Sequence, residues 1–130
     1  MSEHALQTAI RNAMAGECLL FRANVGSAWA GSRVDRLPGG RVLIHDARPF
    51  STGLPPGFAD TFGLVRVVIT PDMVGRELGQ FLAGEIKTPT GRVSDKQAAF
   101  LKAIQSNGGR AGVWRSVDDA LRMVRGSIDT

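Results

Sequence analysis

Two oppositely charged residues end an apolar stretch at residues 80–87 (QFLAGEIK), and their types and spacing could perform hydrolytic chemistry. The stretch is typical of a buried β-strand. Because side chains alternate between the two faces of a strand, Glu85 and Lys87 share one face and lie about 6.6 Å apart along it. The carboxylate could hold a divalent cation, and the ammonium could stabilise an attacking water or the charge that develops on phosphorus. In outline, the pair fits the hydrolysis of a phosphodiester.

A solvated ion pair at the end of a strand would explain the same two residues. The chain has 12 acidic residues among 130, and three lysines. An acid-x-Lys triplet is therefore expected about 0.27 times by chance in a chain of this composition. The triplet alone leaves both interpretations open.

The elements that must position this pair follow from periodicity, caps and turns. The sequence predicts a helix, a strand, a hairpin, two strands, a helix, a strand and a closing helix. The range 62–69 is nearly all apolar, which predicts a central strand. The second helix should bury Phe100, Leu101 and Ile104. The other predictions are a helix at 3–15 begun by Ser2, a strand at 18–21, a hairpin whose second strand is 41–45, a capping box at 94–97, a strand at 110–115 and a helix after Ser116.

Composition narrows the classes of protein to which the chain can belong. Its 130 residues, 43% of them apolar, predict a single domain over 1–130. The lone Cys18 excludes an internal disulfide, and two histidines argue against a zinc site. No apolar run approaches the roughly 20 residues that span a bilayer, and the polar N-terminus does not resemble a signal peptide. We therefore expect no membrane association and a reduced, cytoplasmic setting.

The basic residues favour a nucleic-acid partner. The net charge is +4, and Arg outnumbers Lys 13 to 3. The planar guanidinium suits phosphate recognition, so an Arg-rich basic domain leans towards DNA or RNA. Arg22 and Asn24 share strand parity and could both face a groove. The Gly- and Pro-rich region 27–59 adds a candidate strip for the nucleic-acid backbone, which contains Arg33, Arg36, Arg41 and Arg48.

A second carboxylate is needed near Glu85, because catalytic magnesium usually takes two acidic groups as well as substrate oxygens. Asp60 and Asp72 are available upstream, and Pro71-Asp72 spells a nuclease signature literally. Antiparallel pairing of 62–69 with 80–87 would bring Asp60 beside Glu85 and leave Asp72 about 30 Å away. The strand argument therefore favours Asp60 as the ligand and makes Pro71-Asp72 a turn.

At these residues the sequence resembles the VRR-NUC (virus-type replication-repair nuclease) domain of the PD-(D/E)xK nuclease superfamily. It is most similar to the small stand-alone versions that phages and prophages carry. The matching segments are spread over nearly the whole chain: Glu3 with Leu6 and Gln7, RANVG at 22–26, Arg48-Pro49-Phe50 with Gly53-Leu54, GFAD at 57–60, EIK at 85–87, SDKQ at 94–97 and GVWRS at 112–116.

The resemblance implies an α/β fold, with a restriction-endonuclease-like αβββαβ core and a mixed central sheet flanked by helices. It also implies a Mg²⁺- or Mn²⁺-dependent, structure-selective DNA nuclease. By position, Asp60 and Glu85 would bind the metal with the Ile86 carbonyl, and Lys87 would position the attacking water. Ala59 stands where the superfamily motif has Pro, which leaves the chemistry in place.

The remaining site residues carry alternative interpretations. Gln97 matches a family glutamine on the helix after the motif and joins the catalytic set, although it could merely complete a capping box. Glu3 matches the family's N-terminal acid, a further metal ligand, although it could merely face the helix dipole. The residues assigned to DNA binding are Arg22, Asn24, Arg48 and Arg92.

Three functions therefore compete. The first is a metal-dependent nuclease on branched or replication-repair DNA. The second is a non-catalytic DNA-binding module that retains the fold, and the third is a phage regulatory protein that blocks a host enzyme. Retention of the acid, acid and lysine set argues for the first. A domain of this size offers a short footprint, so a homodimer would recognise a branched substrate more easily.

Overall fold

The chain folds as a mixed α/β protein with three helices and eight short strands in the part that the computed structural model describes, residues 2–126. The strands form four two-stranded sheets within that range. The helices are α1 (Glu3–Met14), α2 (Asp95–Ser106) and α3 (Val117–Arg125). The strands are β1 (Leu19–Arg22), β2 (Ser27–Ala30), β3 (Arg33–Leu37), β4 (Arg41–His45), β5 (Arg48–Ser51), β6 (Thr61–Leu64), β7 (Leu82–Ile86) and β8 (Arg110–Trp114).

Each helix begins where a serine supplies the acceptor that its first N–H groups lack. The Ser2 side chain accepts from Ala5 N, and the Ser116 side chain accepts from Asp119 N, each at 3.1 Å. Ser94 begins α2 with a complete capping box. These three predicted caps are confirmed. No described helix has the length and apolar content needed to cross a membrane.

The chain divides into two compact units, and the second of them comprises Phe21–Phe62. It contains two antiparallel strand pairs, one at the centre of its sequence and one flanking it. The inner pair is β3 with β4, closed by a turn at Pro38–Gly40 in which Gly39 has φ +76°. The outer pair is β2 with β5. The sequence predicted the inner hairpin and its turn but missed the outer pair, which it interpreted as loop.

The first unit comprises Met1–Leu20 and Gly63–Thr130, and a β-α-β unit forms its centre. Strands β7 and β8 pair in parallel, and α2 connects them. A parallel pair needs a crossover connection of this kind, because the chain must return to the starting edge of the sheet. The buried apolar residues within residues 2–126 all belong to this unit: Leu101 and Ile104 on α2, and Ala111 on β8. The burial of Leu101 and Ile104 is confirmed, whereas Phe100 is 44% exposed and its predicted burial is wrong.

The strand predicted at 62–69 is the main correction to the predicted sheet. Strand β6 ends at Leu64, its partner is β1, and residues 65–70 have no regular structure. Val65, Val67, Val68 and Ile69 are exposed. The expected antiparallel pairing of 62–69 with 80–87 is therefore wrong in the described chain, since β7 pairs in parallel with β8 instead.

Candidate active site

The charged pair lies at the carboxyl end of β7, where the strand leaves its parallel partner. Side chains along β7 alternate as predicted, with Ala83 and Glu85 half-buried and Leu82 and Ile86 exposed. Ile86 is 77% exposed and Leu82 is 42% exposed, so the prediction of a buried strand is wrong for this face. The face that carries the charges is the more protected one. Ligand sites in parallel α/β sheets commonly lie at this carboxyl edge.

Glu85 contacts two donors through the same carboxylate oxygen. Gln97 Nε2 donates to Glu85 Oε1 at 2.7 Å, and Lys87 Nζ lies 3.5 Å from that oxygen. The side chains of Lys87 and Glu85 are 22% and 29% exposed, which reduces the screening of this charge pair by water. Two donors on Oε1 fix the orientation of the carboxylate. Both of these contacts are to Oε1, so Oε2 could accept a cation.

Gln97 makes the contacts of a capping box and also a hydrogen bond to Glu85. Its Oε1 accepts from Ser94 N at 3.0 Å, and its backbone N–H donates to Ser94 Oγ at 3.1 Å, which completes the capping box. Its Nε2 remains free of the cap and donates to Glu85. The first turn of α2 therefore sets the position of an amide at the end of β7. The two interpretations of Gln97 are compatible, because each uses a different atom of the side chain.

Strand β8 supports the end of β7 from its backbone and from one side chain. Lys87 N donates to Trp114 O at 3.1 Å, which extends the parallel ladder one residue past β7. The indole of Trp114 covers Gly84, where an added Cβ would clash with carbon atoms of the ring. Only glycine fits at position 84 unless the indole moves. The residue before Glu85 is therefore fixed by packing as well as by pairing.

The other predicted residues are divided between the two units. In the first unit, Glu3 is exposed in the first turn of α1, Ile86 ends β7, and Arg92 is exposed between β7 and α2. No described hydrogen bond or ion pair joins Glu3 or Arg92 to Glu85. In the second unit, Arg22 ends β1, Asn24 follows it, Arg48 begins β5, and Asp60 precedes β6. All four are exposed, and Arg22 and Asn24 alternate with half-buried neighbours as their predicted parity requires.

Asp60 and Asp72 have different surroundings. Asp60 O accepts from Ala23 N at 2.9 Å, while its side chain is exposed. Asp72 lies in a 3₁₀ turn at Pro71–Met73, and the Thr70 hydroxyl donates to its carboxylate. The prediction that Pro71-Asp72 forms a turn is confirmed. The pairing on which the distance argument relied is absent, so the preference for Asp60 now rests on the resemblance and on this local role of Asp72.

A family model provides independent evidence about the chain. The model of the VRR-NUC domain matches residues 44–118, more than half of the 130 residues. The chain belongs to the VRR-NUC domain family. Membership implies nuclease activity, which is hydrolysis of phosphodiester bonds in DNA. No curated protein and no solved structure matches the chain significantly.

The matched region includes the whole contact network around Glu85. The predicted positions inside it are Arg48, Asp60, Glu85, Ile86, Lys87, Arg92 and Gln97, and those outside it are Glu3, Arg22 and Asn24. Within residues 2–126, no three His, Cys, Asp or Glu side chains cluster as a ready-made metal site. Inside the matched region, the Glu85 carboxylate contacts one amide and one ammonium group.

Proposed function

We propose that this VRR-NUC protein is a Mg²⁺- or Mn²⁺-dependent DNA nuclease that prefers branched or otherwise structured replication and repair DNA. The observation that carries the proposal is the shared oxygen of Glu85, which contacts both Lys87 and Gln97. An ion pair that only kept the end of the strand solvated would not need a hydrogen bond from a third residue. Here a capped helix delivers a donor to the carboxylate, and the arrangement supports a role in orienting it.

The proposed ion ligands are oxygen atoms, the type that hard divalent cations prefer. They are the carboxylates of Asp60 and Glu85 and the Ile86 carbonyl, with Glu3 as a further candidate. When bound, the cation would supply Lewis-acid stabilisation of the charge on the phosphate oxygens. The residues fit such an ion through their chemistry, since Glu85 is ionisable, half-buried and oriented by two donors.

Lys87 has the other chemical role in the proposal. Its ammonium would hold the attacking water near phosphorus and stabilise the negative charge that increases in the transition state. Contact with Glu85 restricts the motion of its flexible stem, and Gln97 acts on the reaction by orienting Glu85. We assign backbone phosphate contacts to Arg22, Asn24, Arg48 and Arg92, which are exposed polar or basic residues.

The remaining features of the proposal follow the family. The whole of residues 1–130 would act as one nuclease domain with the restriction-endonuclease-like αβββαβ core and its mixed central sheet. A two-fold homodimer would extend the short footprint of such a domain over the arms of a branched substrate. We place the protein in the cytoplasm because its single cysteine suits a reducing compartment.

Metal dependence on branched DNA tests the proposal. The purified chain is incubated with a labelled four-way junction and with a linear duplex of the same sequence, in Mg²⁺, in Mn²⁺ and in excess chelator. We expect junction cleavage with either metal and none in chelator. Glu85→Gln should lose this cleavage, whereas Glu77→Gln, an exposed acid in the same unit, should retain it. DNA binding without cleavage under every condition would favour the non-catalytic module instead.

A further inference from the structure

Arg115 holds the loop that leaves Lys87. Its Nη1 donates to Thr88 O at 2.7 Å and to Gly91 O at 2.8 Å, and it lies 3.3 Å from Pro89 O. Thr88 follows Lys87 directly, and the loop continues to Ser94 at the start of α2. One guanidinium nitrogen thus contacts three carbonyl oxygens of the segment that connects the ammonium to the capping box.

The backbone of Arg115 is itself fixed. Its N–H donates to Asp119 Oδ2 at 2.8 Å, and the adjacent Ser116 caps α3. On the other side, Trp114 O accepts from Lys87 N and the Trp114 indole covers Gly84. Arg115 therefore extends from an anchored point at the end of β8 to the loop after β7.

This loop connects the two residues whose side chains contact Glu85. Lys87 precedes the loop and Gln97 follows it, and both contact Glu85 Oε1. Ordering a loop outside helices and strands costs conformational entropy at each residue. A charged donor on three carbonyls offsets part of that cost, because hydrogen bonds from charged groups are the stronger ones.

We infer that Arg115 is a positioning residue of the nuclease site. It holds residues 88–91 in place so that Lys87 and Gln97 both contact one oxygen of Glu85. The inference rests on the proposed function and adds a residue to it. Arg115 acts through the loop and does not act on the substrate. Its guanidinium is directed to backbone carbonyls, so its loss should slow the chemical step and leave DNA affinity nearly unchanged.

The test compares Arg115→Met, which keeps an unbranched stem without the donors, with Arg115→Lys, whose ammonium can still reach carbonyl oxygens. Arg76→Met is the control for charge, because Arg76 is an exposed arginine of the same unit. Hydrogen–deuterium exchange of peptides over residues 88–93 is measured on the full chain without DNA or metal. Steady-state cleavage of the junction gives kcat and KM separately.

We expect faster exchange over 88–93 in Arg115→Met, a kcat at least ten-fold lower and a KM within about two-fold of wild type. Arg115→Lys should recover part of both losses, and Arg76→Met should match wild type. Unchanged exchange in Arg115→Met, or faster exchange with wild-type kcat, would overturn the inference. A raised KM with a reduced salt dependence of binding would also overturn it, since Arg115 would then contact phosphate.

Two further readouts keep the outcomes separate. If Arg115→Met does not fold, as judged by its far-UV circular dichroism, Arg115→Lys is measured in its place. Its exchange over 88–93 should be faster than in wild type without full loss of protection, and its kcat should be lower without complete loss of activity. Wild-type values of both quantities would overturn the inference. If the wild-type chain cleaves no DNA, the proposed function fails. Wild-type protection over 88–93 that disappears in Arg115→Met would then still support the loop contact.

Discussion

Replacing Gln97 by Glu separates the capping contact of this side chain from its contact with the candidate site. Glu is as suitable as Gln at the third position of a capping box, so the acceptor for Ser94 N is retained. The Nε2 donor that lies 2.7 Å from Glu85 Oε1 is lost, and a second carboxylate takes its place. The substitution therefore changes the site while it preserves the start of α2.

The structure sets the size of the effect. A hydrogen bond to a charged group contributes about 1.5–3 kcal/mol, and we take the lower value because the Glu85 side chain is 29% exposed. If this hydrogen bond is missing in the transition state, the loss of about 1.5 kcal/mol corresponds to a roughly 12-fold lower kcat/KM. We expect this decrease for Gln97→Ala. In Gln97→Glu, like charges about 4 Å apart add up to about 4 kcal/mol of repulsion before the side chains relax. At high pH this variant should therefore be the slower of the two.

The order of the two variants should reverse as the pH falls. Two carboxylates in contact share a proton readily, and a protonated carboxyl group at position 97 would present an O–H donor to Glu85. Activity relative to wild type should then rise in Gln97→Glu and stay flat in Gln97→Ala. The assay is junction cleavage at saturating metal over a pH series, with each variant divided by wild type. A Gln97→Glu variant equal to wild type at every pH would refute the proposed donation.

Ser94→Ala is the matched control for this experiment. It removes the acceptor for Gln97 N and should lower the free energy of unfolding by about 1 kcal/mol, measured by urea denaturation. Cleavage below the unfolding transition should stay near wild type, because Gln97 Nε2 is untouched. A rate loss in Ser94→Ala as large as that in Gln97→Ala would mean that stability of α2, and not donation, explains both.

Three further predictions concern the acids, the ammonium and the DNA surface. Asp60→Asn should remove most metal-dependent cleavage without unfolding the chain, whereas Asp72→Asn, in its 3₁₀ turn, should cleave at nearly the wild-type rate; the reverse result would move the second carboxylate to Asp72. Lys87→Met should abolish cleavage and leave DNA affinity in a binding assay largely intact, and equal loss of both would make Lys87 a binding or folding residue. The affinity for DNA should fall steeply as the salt concentration rises, and it should hardly vary with sequence among duplexes of one shape. Strong discrimination between such sequences would contradict a DNA-binding surface that depends on arginine and selects by shape.

Local signals in the sequence predicted the local parts of the fold well. The caps at Ser2, Ser94 and Ser116 require only a side chain and an N–H a few residues away, and all three form. The alternation that places Glu85 with Ala83 also depends only on neighbouring residues. For the same reason, strand parity alone was enough to place Glu85 and Lys87 on one face, where their side chains meet.

Strand partners were harder to predict because pairing depends on residues far apart in sequence. The apolar content of 62–69 suggested a central strand, but only Thr61–Leu64 is extended in a sheet, and it pairs with β1. Composition cannot distinguish a strand that has a partner from an apolar segment that lacks one. The order strand, helix, strand over 82–114 did contain the correct signal for a parallel β-α-β unit.

The parallel pairing changes the physical basis of the site. In an antiparallel hairpin, Asp60 would have been the neighbour of Glu85, and Gln97 would have contacted only its capping partner Ser94. In the β-α-β unit, the chain that leaves Lys87 must turn at the carboxyl edge of the sheet and begin α2 beside it. The N-terminal turn of α2, which is the positive end of the helix dipole, thereby lies beside the carboxyl end of β7. Gln97 contacts Glu85 because of this topology, and the loop that Arg115 holds is the turn that the topology requires.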